Sequence, residues 1–162
     1  MRRRTPPGVE RAPGARVARG VVLSVEPGGR ILLGPNAEIG PRCQLRAAVG
    51  ATLVIDGTLG ERCRLVCHEA ITVAAGARLG AECLLIDADP VFDDAEQPVR
   101  AQGRVTAPVV VGAGATLGPR VVVLRGVTVG AAADVLAHSV CTTDVPAGAA
   151  VGGTPARRAS VA

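Results

Sequence analysis

Two imidazoles are all that this 162-residue chain carries, His68 and His138. Histidine is the side chain that exchanges a proton most readily near neutral pH, and a neighbouring carboxylate orients the ring and raises its basicity. His68 is followed by Glu69, and Asp87-Ala88-Asp89 is centred twenty residues further on. If the chain repeats at that interval, His68, Glu69, Asp87 and Asp89 share one corner, and His68 becomes a candidate general base. The same interval separates Cys43, Cys63 and Cys83. Stacked thiols suggest a metal or redox site, but side chains pointing the same way from in-register strands have poor disulfide geometry. The favoured reading of these cysteines is therefore small buried hydrophobes.

Composition narrows the scaffold that must hold these residues. Hydrophobic residues make up 48% of the chain, yet there is one Phe and no Trp or Tyr. That excludes a core of bulky aromatics and a base-stacking surface for single-stranded nucleic acid. The formal charge of +4 is concentrated at one end, because six Arg and one Glu fall within residues 1–20. The rest of the chain is close to neutral, which removes the case for a nucleic-acid surface. No long apolar run follows the basic start, and five Cys is an odd number. A cytoplasmic protein with free thiols is expected.

The strongest pattern is a period of six. Hexads starting at Val21, Pro27, Leu33, Ile39 and Leu45, then Leu53, Leu59, Leu65, Val73, Leu79 and Leu85, then Val111, Leu117, Val123, Val129, Val135, Cys141 and Ala147 give eighteen units. Fifteen begin with Val, Ile or Leu and nine have Gly second, a recurrence that a helix would tolerate poorly. A solenoid satisfies it: each hexad is one flat side and three make a triangular coil. Stacked coils pair in parallel around an aliphatic column. The first and fifth residues of each hexad point inward. Jumps of eight at Leu45 to Leu53 and Leu65 to Val73 lengthen the early coils to twenty residues, placing neighbouring members of the cysteine ladder roughly 4.8 Å apart.

The repeat stops after Leu85 and resumes at Val111. Residues 87–108, rich in Asp, Pro, Gln and Arg, are expected as an extruded loop, and long loops within compact solenoids are often functional. Residues 1–19 read as a disordered Arg/Pro-rich tail, 20–153 as the solenoid and 154–162 as a C-terminal tail.

From Ala107 the chain reads Ala-Pro-Val-Val-Val-Gly-Ala-Gly-Ala-Thr-Leu-Gly, then Leu-Arg-Gly-Val-Thr-Val-Gly, Ala-His-Ser-Val-Cys-Thr-Thr-Asp-Val-Pro-Ala-Gly and Val-Gly-Gly-Thr-Pro-Ala-Arg. Over about residues 30–158 this resembles the hexapeptide-repeat acyltransferases of the maltose, galactoside and polysaccharide O-acetyltransferase type. Asp144-Val145-Pro146 and Gly153-Thr154-Pro155-Ala156-Arg157 are the most specific pieces. The resemblance implies an all-β left-handed parallel β-helix, a homotrimer, and acetyl-CoA or another acyl-CoA as co-substrate with a sugar or small-molecule acceptor. It implies that Ala137, Thr142 and Thr143 lie along the pantetheine arm and Arg157 near the nucleotide phosphates. A solvated chain end is the alternative reading of Arg157.

Against the family pattern, Pro90 and Val91 follow Asp89 where a general-base His is expected, Val110 replaces a Trp, and Thr143 stands where Lys is frequent. His68, with Asp87 and Asp89, is then the candidate substitute base, with an ordinary exposed corner residue as the alternative. His138, in place of a Gly, is read chiefly as a surface or packing residue. A catalytically inactive scaffold or regulatory protein is the second function reading. A zinc enzyme like the β-helical carbonic anhydrases is the third, and three His per zinc leaves it unsupported.

Overall fold

The computed structural model describes residues 5–159. It is a left-handed parallel β-helix of about 7 turns, as the hexads predict. The first face stacks β1 (Val9–Arg11), β4 (Arg30–Leu33), β7 (Thr52–Ile55), β10 (Ala70–Val73), β15 (Val109–Val111) and β18 (Thr128–Val129). The second stacks β2 (Arg16–Val17), β5 (Glu38–Ile39), β8 (Thr58–Leu59), β11 (Arg78–Leu79), β16 (Thr116–Leu117), β19 (Asp134–Val135) and β21 (Ala150–Gly152). The third stacks β3 (Val22–Val25), β6 (Gln44–Ala47), β9 (Arg64–Cys67), β12 (Leu84–Ile86), β17 (Val122–Val123) and β20 (Val140–Cys141).

The interior is one aliphatic column. Leu33, Ile39, Leu45, Leu59, Leu65, Val73, Leu79, Leu85, Val111 and Val123 are all buried, as the first-position rule requires. Each such side chain contributes about 1.5–3 kcal/mol on leaving water. The second-position glycines serve the stacking itself: a Cβ on Gly60 would come within 2.7 Å of the Gly80 carbonyl carbon in the next coil. Only a residue without a side chain lets the corners stack that closely.

Two sequence expectations need correction. Coil length is not uniformly twenty early on. Val9 pairs with Ile31 and Leu23 with Leu45, Leu45 with Leu65, and Leu53 with Ile71. On the first face β4, β7, β10 and β15 carry two inward residues each, so Leu53 stacks on Ile31 and Ile71, while Ile55 stacks on Leu33 and Val73. The stretch expected as a tail supplies most of the first coil. Ala15 is buried, Val9 and Val17 pack against the column, and Glu10–Arg30 and Arg16–Glu38 ion pairs tie it to the second coil. Arginines at outward positions hid a hexad pattern that was present at inward ones. Residues 1–4 lie outside the described residues.

The loop is partly ordered. β13 (Ala88–Pro90) and β14 (Arg104–Thr106) pair antiparallel, with a 3-10 turn at Val99–Ala101 beyond them. At the other end, β22 (Arg157–Arg158) folds back antiparallel on β21, so the expected C-terminal tail is a strand as far as Arg158; 160–162 lie outside the described residues. Among the described residues no helix is long and apolar enough to cross a membrane.

Candidate active site

The corner where the third face turns into the first is where the loop leaves the prism. Asp87 follows β12 there, with its side chain fully buried. Its Oδ1 accepts the His68 backbone N–H at 2.7 Å, and Oδ2 accepts those of Glu69 and Ala70 at 2.8 and 2.9 Å. The Cys67 thiol also approaches Oδ2, at 3.7 Å. A carboxyl group can be buried because donors replace the water it loses. Its own carbonyl accepts the Ala107 N–H at 3.0 Å, which closes the base of the loop. Asp87 therefore clamps the main chain that carries the imidazole; it does not touch the ring's proton chemistry through a side-chain bond.

Asp89 turns the other way. Its Oδ2 accepts from Arg125 Nε at 2.8 Å, one coil further on. Glu69 is exposed. The expected quartet thus shares a corner, but only Asp87 reaches the segment that holds His68. Sequence reasoning missed Glu26, Arg46 and Arg104. Glu26 follows β3, two coils below His68 at the same corner, and its carboxylate binds Arg46 and the Val49 N–H. Glu26, Ala48, His68 and Ala88 fall at intervals of 22, 20 and 20 along one corner, given the paired registers; that column was the available signal.

The half-buried His68 imidazole titrates below the ordinary histidine range. Burial is the main cause, the Arg104 and Arg46 charges add to it, and Asp87 and Glu26 oppose it. The ring is consequently neutral at physiological pH, the form that accepts a proton. The Cys67 thiol is pushed up to about 12, first by burial and then by the Asp87 charge, so it is not a nucleophile at neutral pH. Cys43, Cys63 and Cys83 are buried and donate to the Gly60, Gly80 and Gly118 carbonyls at 3.0, 3.1 and 3.2 Å. They fill the column, and no metal-holding group of His, Cys, Asp or Glu occurs among the described residues.

The residues expected along a co-substrate gather at the C-terminal end. Val140 N–H donates to the Gly153 carbonyl at 3.1 Å, and the Val140 carbonyl accepts from Ala156 N–H at 2.8 Å. These bonds tie β20 to the turn before Arg157; Ala137 precedes β20 on the edge of His138, Thr142 and Thr143 follow it on the edge of Asp144, and all three are exposed, as is Arg157. Asp144 accepts the Thr128 N–H at 2.8 Å and fixes the Thr142–Thr143 segment to the coil below. β20 is three strands beyond β9, or about 14 Å along the axis at one strand spacing per step. His138 lies on a different prism edge from His68, above Arg120, and is exposed. A hollow of about 720 Å³ lies at neither site but at the open N-terminal mouth, between Val9, Val17, Val21, Leu23 and Leu33. It marks where the column ends.

No protein-family profile matches the chain, and no curated protein matches it by sequence. Solved structures do match in fold. A hexapeptide-repeat acetyltransferase from Vibrio cholerae O1 biovar eltor, complexed with acetyl coenzyme A, is 25% identical with a TM-score of 0.61, covering 86% of this chain and 69% of that one. A variant of AntD, an N-acyltransferase from Bacillus cereus solved with an amino-sugar nucleotide and coenzyme A, has a TM-score of 0.69 at 17% identity, covering 90% and 83%. A galactoside acetyltransferase in complex with coenzyme A has a TM-score of 0.65 at 18% identity, covering 88% and 64%. The chain thus has the hexapeptide-repeat β-helix of these acyltransferases.

Proposed function

We propose that the protein transfers an acyl group, most simply acetyl, from coenzyme A to a hydroxyl or amino group of a sugar or small molecule. The observation that carries this reading is the C-terminal hairpin folded onto β20. It sets Arg157 beside β20 at the same end of the prism as Ala137, Thr142 and Thr143, in a fold whose solved neighbours include complexes with coenzyme A. That set fits an extended thiol ester: small side chains leave room for the arm, Thr142 and Thr143 offer hydroxyls, and Arg157 offers phosphate a planar fork of donors. The co-substrate supplies an acyl carbon activated by a sulfur leaving group.

His68 accepts the proton as the acceptor's oxygen or nitrogen bonds to the acyl carbon, and the carbon–sulfur bond breaks to release the thiolate, which takes up a proton. Asp87 holds the His68 backbone during this transfer. Val66, Leu84, Ile86, Val122 and Val140 point outward from the third face. They form an apolar strip suited to packing against a second copy, in agreement with a homotrimer. Isothermal calorimetry with coenzyme A and a mass-spectrometric screen with acetyl-CoA and sugar acceptors test the reading. Absence of both binding and transfer overturns it.

One observation favours a second reading, a non-catalytic scaffold: Pro90 and Val91 occupy the positions after Asp89, and neither accepts a proton. It predicts assembly without turnover, and acyl transfer that His68→Ala abolishes would exclude it.

A further inference from the structure

Four elements bring charge to the His68 corner. From the coils below come Glu26 at the end of β3 and Arg46 on β6, joined to each other. From the coil above comes Asp87, whose oxygens are taken by three main-chain N–H groups. Asp89 on β13 is paired with Arg125, and Glu69 points to solvent. From the extruded hairpin comes Arg104, opposite Pro90 in the antiparallel pair that also sets Ala88 against Thr106. Arg104 is exposed, and among the described residues it has neither an ion-pair partner nor a hydrogen-bonded side chain. The loop's acids do not serve it: Asp94 caps the Glu96 N–H within its own turn. Glu26, Arg46, Asp87 and Asp89 are thus matched among the described residues, and beyond the solvent-facing Glu69 the charge left without a partner at this corner is Arg104.

We propose that Arg104 binds an oxyanion group of the acceptor, a carboxylate or a phosphate, and holds it beside the His68 imidazole. This rests on the reading of His68 as the general base. A guanidinium presents a planar fork that matches both groups in a bidentate way. The placement also resolves a cost in the free protein, where a bare cation near a general base disfavours the protonated ring the reaction must form. An anion against Arg104 cancels that charge when the acceptor binds, so His68 gains basicity with the right acceptor and not with a neutral one. The Arg104 charge is among the causes that hold the ring's titration below the ordinary range.

The test follows the His68 ring by NMR in the full chain carrying His138→Gln, at constant ionic strength. Inorganic phosphate and glucuronate are expected to raise its titration midpoint saturably, whereas glucose, or sodium chloride in their place at the same ionic strength, leaves it unchanged. Arg104→Gln is expected to start from a higher midpoint and to weaken glucuronate binding by roughly fivefold, the upper range for an exposed ion pair. Arg104→Lys keeps the charge and loses part of the affinity. An equal response to chloride, no response to either anion, or an unchanged response in Arg104→Gln overturns the proposal. A normal response in a protein that neither binds coenzyme A nor transfers an acyl group leaves the anion site standing and removes the acyltransferase reading.

Discussion

Two edges of the same prism solve the corner problem differently. Between the second and third faces, Arg42, Arg62, Glu82, Arg120 and His138 succeed one another with left-handed φ values of 59°, 55°, 59°, 57° and 62°. The first four are exposed and linked by Arg42–Glu61, Arg62–Glu82 and Arg120–Glu82 pairs. Between the third and first faces the column runs Glu26, Ala48, His68 and Ala88, with the buried Asp87 beside it and the loop leaving above. The first edge is regular, wet and replaceable coil by coil. The second concentrates a buried carboxylate, a half-buried imidazole and a break in the repeat. Where every coil repeats the same corner the residues serve stacking; chemistry is sought where one coil departs from it.

The sharpest break of this comparison is kinetic. With acetyl-CoA and a competent acceptor, His68→Ala is expected to lower kcat/KM by about 10² to 10⁴-fold, the usual contribution of a positioned base. His138→Ala, on the regular edge, leaves it within about twofold. Because His68 titrates below the ordinary range, wild-type activity should persist to a lower pH than a free imidazole allows, falling only as the ring protonates. The same depressed value fixes a sign for stability. The unfolded chain binds the proton more readily, so this group's contribution is present above about pH 6.5 and is lost as pH falls through the folded value.

Asp87 gives the next largest effect. Asp87→Ala leaves three part-buried main-chain donors without their acceptor while the main-chain bond to Ala107 persists, a loss of roughly 3 kcal/mol. Asp87→Asn keeps the shape but turns an amide N–H₂ toward one of those donors, and costs about 2 kcal/mol. Urea titration followed by circular dichroism measures both. If Asp87→Ala is as stable as wild type, the clamp is not what holds the corner.

The solenoid was legible because its cause is local: one aliphatic residue per hexad faces inward, and Leu33, Leu59 and Val123 obey that rule whatever surrounds them. The first coil was not legible, because Arg11, Arg16 and Arg19 dominate its composition while Val9, Ala15 and Val17 do the packing. The corner column was legible to within one residue, since Ala88 does stack over His68. The roles of its acids were not. That Asp87 accepts main-chain N–H groups below it while Asp89 pairs with Arg125 above it depends on the direction each side chain takes as the strand leaves the prism. Residue type and spacing do not encode that direction. Asp56 and Asp144 take main-chain N–H groups of Asn36 and Thr128 in the same way, so an Asp at a strand end is a recurrent clamp in this fold, and Asp87 is its buried instance.

The smallest expected effect comes from the regular edge and tests whether it is as replaceable as it looks. Glu82 accepts from Arg120 Nε at 3.2 Å and forms a looser ion pair with Arg62 at 3.8 Å, with all three side chains substantially exposed. Glu82→Gln keeps the left-handed backbone residue and removes only the charge, so it isolates the two ion pairs from the strain of the turn. Exposed pairs of this kind contribute less than about 1 kcal/mol together, because water screens them and two long side chains must be ordered. The loss should shrink further at 1 M salt, where the screening length falls to about 3 Å. A loss that matches Asp87→Ala and survives salt would mean that the exposed ladder carries as much of the stacking as the buried clamp, and the contrast between the two edges would fail.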